Sequence, residues 1–320
     1  MLKVKPARVI KLEEHNPAWK YFFLAEKDAI KKAFSEEPSS LVDVIHIGST
    51  SVEGLSAKPI IDIIVIVKDP YIIDQPLTDL GYRYKGEYNL PMRRMFEKKD
   101  EFKVYMHVYA EGNPEIELNL AFREFLRNNI DTKEEYSALK MAIIEKDATH
   151  KIISTGITTY NLEKSGFIQK ILMTLRFNGL CMRLCSQVNE WNDYKLIRNI
   201  FLVKADRSDE IDYNPDKKHI VLVKGVEVVA AAQVNISKPN AFIEFLGINL
   251  QNGIRVDLLG YLLSNIEQWL AKIGVLFVTT FVDKEDSDIF EHANYTKFSE
   301  TGNTLHMMKY LVTVKNCQRI

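Results

Sequence analysis

Val44-Ile45-His46-Ile47-Gly48-Ser49-Thr50-Ser51-Val52-Glu53-Gly54-Leu55-Ser56-Ala57-Lys58-Pro59-Ile60-Ile61-Asp62-Ile63-Ile64-Val65-Ile66-Val67 reads as a strand, a tight polar turn and a second strand. The first run ends in the small residues Gly48 to Ser51, which draw backbone N–H groups toward one point. Such a concavity suits an anion, phosphate above all. After Lys58-Pro59 comes a nearly unbroken Ile/Val run, the pattern of a strand buried on both faces. Its one charge is Asp62, placed within reach of whatever the turn holds. That layout can hold a metal-bound nucleotide triphosphate. The alternative is a carboxylate capping N–H groups of its own turn, because a lone charge in an apolar run must be paired or metal-bound.

The whole chain sets the bounds. Its 320 residues are enough for two domains. Lys plus Arg (42) nearly balance Asp plus Glu (43), so net charge points to neither nucleic acid nor membrane. Hydrophobic content of 46% is that of a soluble globular protein. No apolar run approaches the roughly 20 residues that span a bilayer. The start, Met1-Leu2-Lys3-Val4-Lys5-Pro6, has no signal-peptide core, so the cytoplasm is the expected location. The chain has 3 cysteines, too few for a disulfide framework, and Cys181 and Cys185 lack a second ligand pair for zinc.

In the first domain, residues 7–13 alternate as a short strand. Asn16-Pro17 opens a helix with Asn as N-cap and Pro at the first helical position. After the core block, Asp69-Pro70 is expected to start a helix ending near Gly81. Strands at Tyr82–Glu87, Arg93–Lys98 and Phe102–Tyr109 read as an antiparallel meander. Helices at Glu115–Arg127, Lys133–Lys146 and Thr158–Phe177 close the domain. His46 and His107, on neighbouring strands, are expected to converge on one face, as acid, base or ligand groups or as inert core histidines. Lys58, Arg123, Lys140 and Lys164 are the cationic candidates for phosphate contacts, against the alternative of solvated helix faces.

The block from His46 to Ile63 resembles the signature of the GrpB family, approximately H-[IV]-G-S-T-[AS]-V-x-G-L-x-A-K-P-I-I-D-I. Other stretches are similar to further motifs of that family. Tyr105-Met106-His107-Val108 resembles H-x-H-V with Tyr105 in place of the first His, and Leu120–Arg127 is close to L-A-F-R-D-Y-L-R. Tyr136, Leu139 and Lys140 fit Y-x-x-L-K, and Tyr160, Lys164 and Phe167 fit Y-x-x-x-K-x-x-F. The resemblance spans roughly residues 7–177. It implies a nucleotidyltransferase-like fold, in which a Gly-Ser turn cradles phosphates while carboxylates spaced D-x-D, with a third on a neighbouring strand, hold Mg²⁺. By that resemblance Gly48, Ser49, Thr50, Lys58, Arg123, Lys140 and Lys164 contact phosphate or nucleotide. Asp62, His46 and His107 are the catalytic candidates, and Asp62 is the metal ligand. The chain departs from the pattern at Ile64, where the second carboxylate belongs, at Ile45, where many members carry Glu, and at Glu53, where Pro is frequent.

The domain border is expected near Phe177-Asn178-Gly179-Leu180, where a helical pattern ends in a Gly stop. A helix through Trp191–Phe201 and a polar stretch follow, then a hairpin around Lys224-Gly225-Val226 and a strand at Phe242–Ile248. The helix Val256–Lys272, a strand at Val275–Val282, a short helix at Ser287–Ala293 and a strand near Thr304–Val312 complete the chain. This order resembles the GNAT acetyltransferase fold over about residues 181–312. There the loop [QR]-x-x-G-x-[GA] brings backbone N–H groups to the pyrophosphate of coenzyme A. Arg255 and Gly260 suit that pattern, Leu258 replaces its middle glycine, and Asp257 adds a repelling charge. Phe290 stands where a proton-donating Tyr is frequent.

The fold class is therefore α+β in two domains. Residues 1–178 form a nucleotidyltransferase-like mixed sheet with helices, and residues 179–320 a GNAT-like mixed sheet with helices. The expected function is Mg-dependent nucleotide binding, or nucleotidyl transfer to an unidentified small-molecule or protein acceptor. The alternatives are acetyl-CoA-dependent N-acetylation by the C-terminal domain, and a non-catalytic module that binds a nucleotide or a protein. The implied cofactors are Mg²⁺ and a nucleoside triphosphate; Leu258, Asp257 and Phe290 disfavour acetyl-CoA.

Overall fold

The computed structural model describes residues 8–9, 11–146, 149–150, 159–201, 214–250 and 256–311, in two units, Met1–Gly179 and Leu180–Ile320. The first unit begins with β1 (Arg8–Val9), α1 (Ala18–Ala33), β2 (Leu41–Ile47), β3 (Ile60–Val67) and α2 (Asp74–Asp79). It continues through β4 (Arg83–Gly86), β5 (Arg94–Lys99), β6 (Lys103–Ala110), α3 (Pro114–Asn128), α4 (Ile130–Lys146), β7 (Thr149–His150) and α5 (Thr159–Thr174). Asn16 Oδ1 accepts the N–H of Ala18 at 2.9 Å, the capping bond expected at the start of α1. Helix α2 is shorter than expected. Asp69 Oδ1 accepts the N–H of Tyr71 at 2.9 Å, and this side-chain turn delays the helix to Asp74.

The main sheet has the order β2-β3-β6-β5-β4, with β3 and β6 parallel and the other pairs antiparallel. Because side chains alternate along a strand, register sorts them into two sets. His46, Ile63 and Met106 lie side by side on one face; Ile47, Asp62 and Tyr105 lie on the other, with Ile45, Ile64 and His107 in the next row. On the His46 face, Ile61, Ile63, Val65 and Val67 pack with Trp19, Phe23 and Ile30 of α1. On the Asp62 face, Ile64 and Ile66 pack with Ile47, Tyr109 and Ile116 of α3. Strand β3 is thus buried from both sides, as its Ile/Val run implies, and Asp62 interrupts only the second layer.

The second unit contains β8 (Leu180–Leu184), α6 (Val188–Phe201), β9 (Lys217–Lys224), β10 (Glu227–Ser237), β11 (Asn240–Ile248) and α7 (Val256–Lys272). After these come β12 (Phe277–Asp283), α8 (Asp288–His292), β13 (Thr296–Thr301) and β14 (Thr304–Tyr310). Its sheet runs β13-β14-β12-β11-β10-β9-β8, and only β11 and β12 pair in parallel. Hairpin, strand, helix, strand, helix and final strand follow in the order expected from the sequence. Two edge strands were not anticipated. Strand β13 is exposed along its whole length and so shows no apolar alternation, and β8 follows directly on the expected helix stop. No helix among the described residues is long and apolar enough to cross a membrane.

Candidate functional site

The turn after β2 is shaped by one glycine. Gly48 adopts φ 70°, ψ −175°, a region open essentially to glycine alone, and a Cβ there would stand 2.5 Å from Asp62 Oδ2. The close approach sets the end of β2 against the carboxylate on β3. A single 3-10 turn, Ser49–Ser51, follows. Ser51 Oγ donates back to Gly48 O at 2.6 Å, and Thr50 Oγ1 donates to Ile60 O at 3.0 Å, tying the turn to the start of β3.

Four cations hold this segment from behind by its carbonyls. Arg123 Nη1 donates to His46 O at 2.6 Å, Arg127 Nη2 to Ser51 O at 2.7 Å, and Lys133 Nζ to Glu53 O at 3.1 Å. Lys140 Nζ donates to Ser56 O. Arg123 is also paired with Glu124 at 2.6 Å, so it belongs to this brace and not to the cluster around Asp62. Arg127 and Lys133 are not among the residues to which the sequence points. The four-residue spacing of Arg123 and Arg127, which puts both on one side of α3, was the available signal.

The expected convergence of His46 and His107 does not occur, because register puts them on opposite faces of the sheet. His46 is stacked on Phe23 with centroids 4.7 Å apart. Its Nε2 donates to Thr50 Oγ1 at 3.1 Å, since the Thr50 proton is committed to Ile60. Burial, helped by the charges of Arg127 and Arg123, pushes its pKa down to about 3, so it is a neutral core histidine. Thr50 is buried as its partner.

The remaining candidates do meet. His107 Nε2 lies 3.8 Å from Asp62 Oδ1. Burial lowers the His107 pKa, the Asp62 hydrogen bond opposes that, and Arg93 reinforces it. Lys58 and Lys164 converge on the Tyr160 ring, their Nζ atoms 3.9 and 4.4 Å from its centroid. Lys140, only 1% exposed, places Nζ 3.3 Å from Ser49 Oγ and 4.8 Å from the centroid of Tyr136. Burial, then the charges of Lys164 and Lys58, push Lys140 down to about 7. Burial likewise pushes Lys164 down to about 8, partly offset by Asp62. Tyr136 is raised by burial, its ring stacked on Phe167 at 5.0 Å. Three ammonium groups therefore gather near Asp62 and His107, and the buried Glu115 also acts on His107.

This donor set does not suit Mg²⁺. Ile64, where the D-x-D pattern has its second carboxylate, and Ile45, where many members carry Glu, are paired with each other and packed in an apolar cluster. No group of three or more His, Cys, Asp or Glu side chains able to hold a metal occurs among the described residues. Divalent cations of this kind need oxygen donors, and here their places are taken by methyl groups and ammonium groups.

In the second unit, Leu258 is a buried core residue, and Phe290 is buried edge-on against Tyr295 with centroids 5.2 Å apart. Gly260 lies on α7 with open space where a side chain would point, and Arg255 lies outside the described residues.

Comparison with known proteins gives the following relationships. The family model described as GrpB protein matches residues 9–174. The chain is 35% identical over 139 residues to UPF0157 protein YqkA of Bacillus subtilis, a match covering 42% of this chain and 40% of that relative. The chain thus spans less than half the length of this curated relative. The crystal structure of conserved protein GrpB from Enterococcus faecalis is 34% identical, covering 50% of this chain and 94% of that one, with a TM-score of 0.42. The ribosomal-protein-S18-alanine N-acetyltransferase of Escherichia coli is 11% identical, covering 44% of this chain and all (100%) of that one, with a TM-score of 0.36.

Proposed function

The chain belongs to the GrpB family through residues 9–174, and from that premise we propose that its first unit binds the phosphate end of a small anionic ligand, nucleotides included, through lysine side chains. The observation that carries this reading is the clustering of three lysines, Lys58 and Lys164 on Tyr160 and Lys140 on Ser49, beside Asp62. Each ammonium that donates to a phosphate oxygen contributes about 1.5–3 kcal/mol as a charge-assisted bond. Ser49 Oγ adds a neutral donor or acceptor at the same point. Asp62 and His107 form the polar floor, where the carboxylate balances the buried ammonium of Lys164.

Charge makes the binding pH-dependent. The ligand faces Lys58, Lys140 and Lys164 together with Asp62, His107, Tyr136 and Tyr160, with Glu115 and Arg93 acting on His107 from the adjoining elements. A bound dianion raises the pKa of Lys140 from about 7 and of Lys164 from about 8, so binding takes up protons near neutrality. Affinity therefore falls as pH rises through that range and the free amines lose their charge.

Calorimetric titration of inorganic phosphate and of ATP into the full chain, in EDTA and in MgCl₂, tests this. Both ligands are expected to bind in EDTA, more weakly at about pH 9 than at about pH 6.5. Binding that requires Mg²⁺, or no binding of either ligand, contradicts it.

A further inference from the structure

Arg93 lies just before β5, next to the Arg94–Val108 pair, and alternation puts it on the same face as Met95 and His107, the Asp62 face. Its side chain is only 8% exposed. One guanidinium nitrogen, Nη2, donates to Glu87 O at 3.0 Å, and the buried Nε meets no acceptor among the described residues. Arg94, its neighbour, shows the contrast: it faces the opposite side of the sheet and is satisfied by both carboxylate oxygens of Asp74.

A buried guanidinium is costly when its donors go unused, because each desolvated donor forfeits its hydrogen bonds to water. The loop that carries Arg93 is nevertheless held firmly. Glu87 Oε1 accepts the N–H of Met92 at 3.2 Å and the hydroxyl of Tyr71. Tyr88 and Met92 both adopt positive φ, 55° and 67°. Arg93 is thus fixed in a position where its fork is incompletely used.

We propose that Arg93 forms a second anion position beside the lysine cluster, across His107, so that the ligand of this unit carries two linked anionic groups, as a diphosphate does. The proposal rests on the lysine-site reading above and deepens it. Lys58, Lys140 and Lys164 take the first group as point charges, and Arg93 takes the second, presenting Nε and a terminal nitrogen as a planar fork.

The test compares inorganic phosphate with pyrophosphate by calorimetry, on the full chain, for wild type, Arg93→Met and Arg93→Lys. Wild type is expected to bind pyrophosphate at least about tenfold more tightly than phosphate, the effect of one added charge-assisted contact. Arg93→Met is expected to erase that margin while leaving phosphate affinity within about twofold. Arg93→Lys keeps the charge but loses the fork, and is expected to recover only part of the margin. Equal loss for both ligands in Arg93→Met, or an unchanged ratio in both variants, overturns the proposal while the lysine site stands. Failure of phosphate to bind wild type overturns the lysine site, and this proposal with it.

Discussion

Lys140→Met is expected to weaken phosphate binding by roughly 10- to 100-fold, the loss of one charge-assisted contact, while leaving the first unit as stable as before or more stable. The two effects have opposite signs because the ammonium is costly to the fold and useful to the ligand. Lys140 is almost fully enclosed by Tyr136, Ser49 and Ser56, and its pKa is held at about 7 against an ordinary 10.5. Between those two values the unfolded chain carries the extra proton, so stability rises with pH across the window. Below about 7 the full cost, on the order of 5 kcal/mol, is present. Methionine has a similar length and no charge, so it removes that cost while losing the Ser56 contact. Denaturation at several pH values, followed through hydrogen exchange in α4, reads the stability, and calorimetry reads the affinity. A variant with unchanged phosphate affinity would remove Lys140 from the site.

Gly48→Ala is expected to destabilise the first unit by about 2–4 kcal/mol and to displace Asp62. Part of that cost is backbone strain at φ 70°, ψ −175°, which a side chain tolerates poorly. The rest comes from the new Cβ, which would stand 2.5 Å from Asp62 Oδ2 and force the carboxylate or the turn to move. Urea-dependent hydrogen exchange in Leu41–Ile47 and Ile60–Val67 isolates the effect to the strands that flank the turn. A loss below about 1 kcal/mol would mean that the Gly48–Asp62 approach relaxes freely.

Much of the fold is legible because its strongest periodicities are unambiguous. The Ile/Val run of β3 announces a strand buried on both sides, and it is one. The Asn16-Pro17 pair announces the start of α1, and the Asn16 side chain caps it. Legibility ends where register begins. His46 and His107 sit on the two strands that flank β3, but whether they share a face depends on pairing: His46 lies beside Ile63, whereas His107 lies beside Ile64. One residue of register separates a core histidine from a site histidine, and no local pattern encodes it.

The cations show the same limit. Arg123 and Lys164 both stand on helices at family motif positions, but Arg123 reaches a backbone carbonyl and Lys164 reaches the Tyr160 ring near Asp62. Helical periodicity gives the side of a helix, not the distance from that side to a turn. Arg93 is harder still. In sequence it is the first residue of an ordinary strand, and only the tertiary packing shows that it is buried with Nε unused. By contrast, the departures at Ile45 and Ile64 could be read directly, and the structure shows their consequence: the places of two carboxylates form one apolar patch.

The measurement that tests the account most directly is a titration of ATP, in EDTA at about pH 6.5, into wild type and Asp62→Asn. If lysines hold the phosphate, removing the negative charge of Asp62 leaves affinity unchanged or increases it. The relief from repulsion at about 4 Å is on the order of 1–4 kcal/mol before screening. If Asp62→Asn abolishes ATP binding while its fold is intact, the carboxylate itself holds the ligand, and the lysine-centred account is wrong.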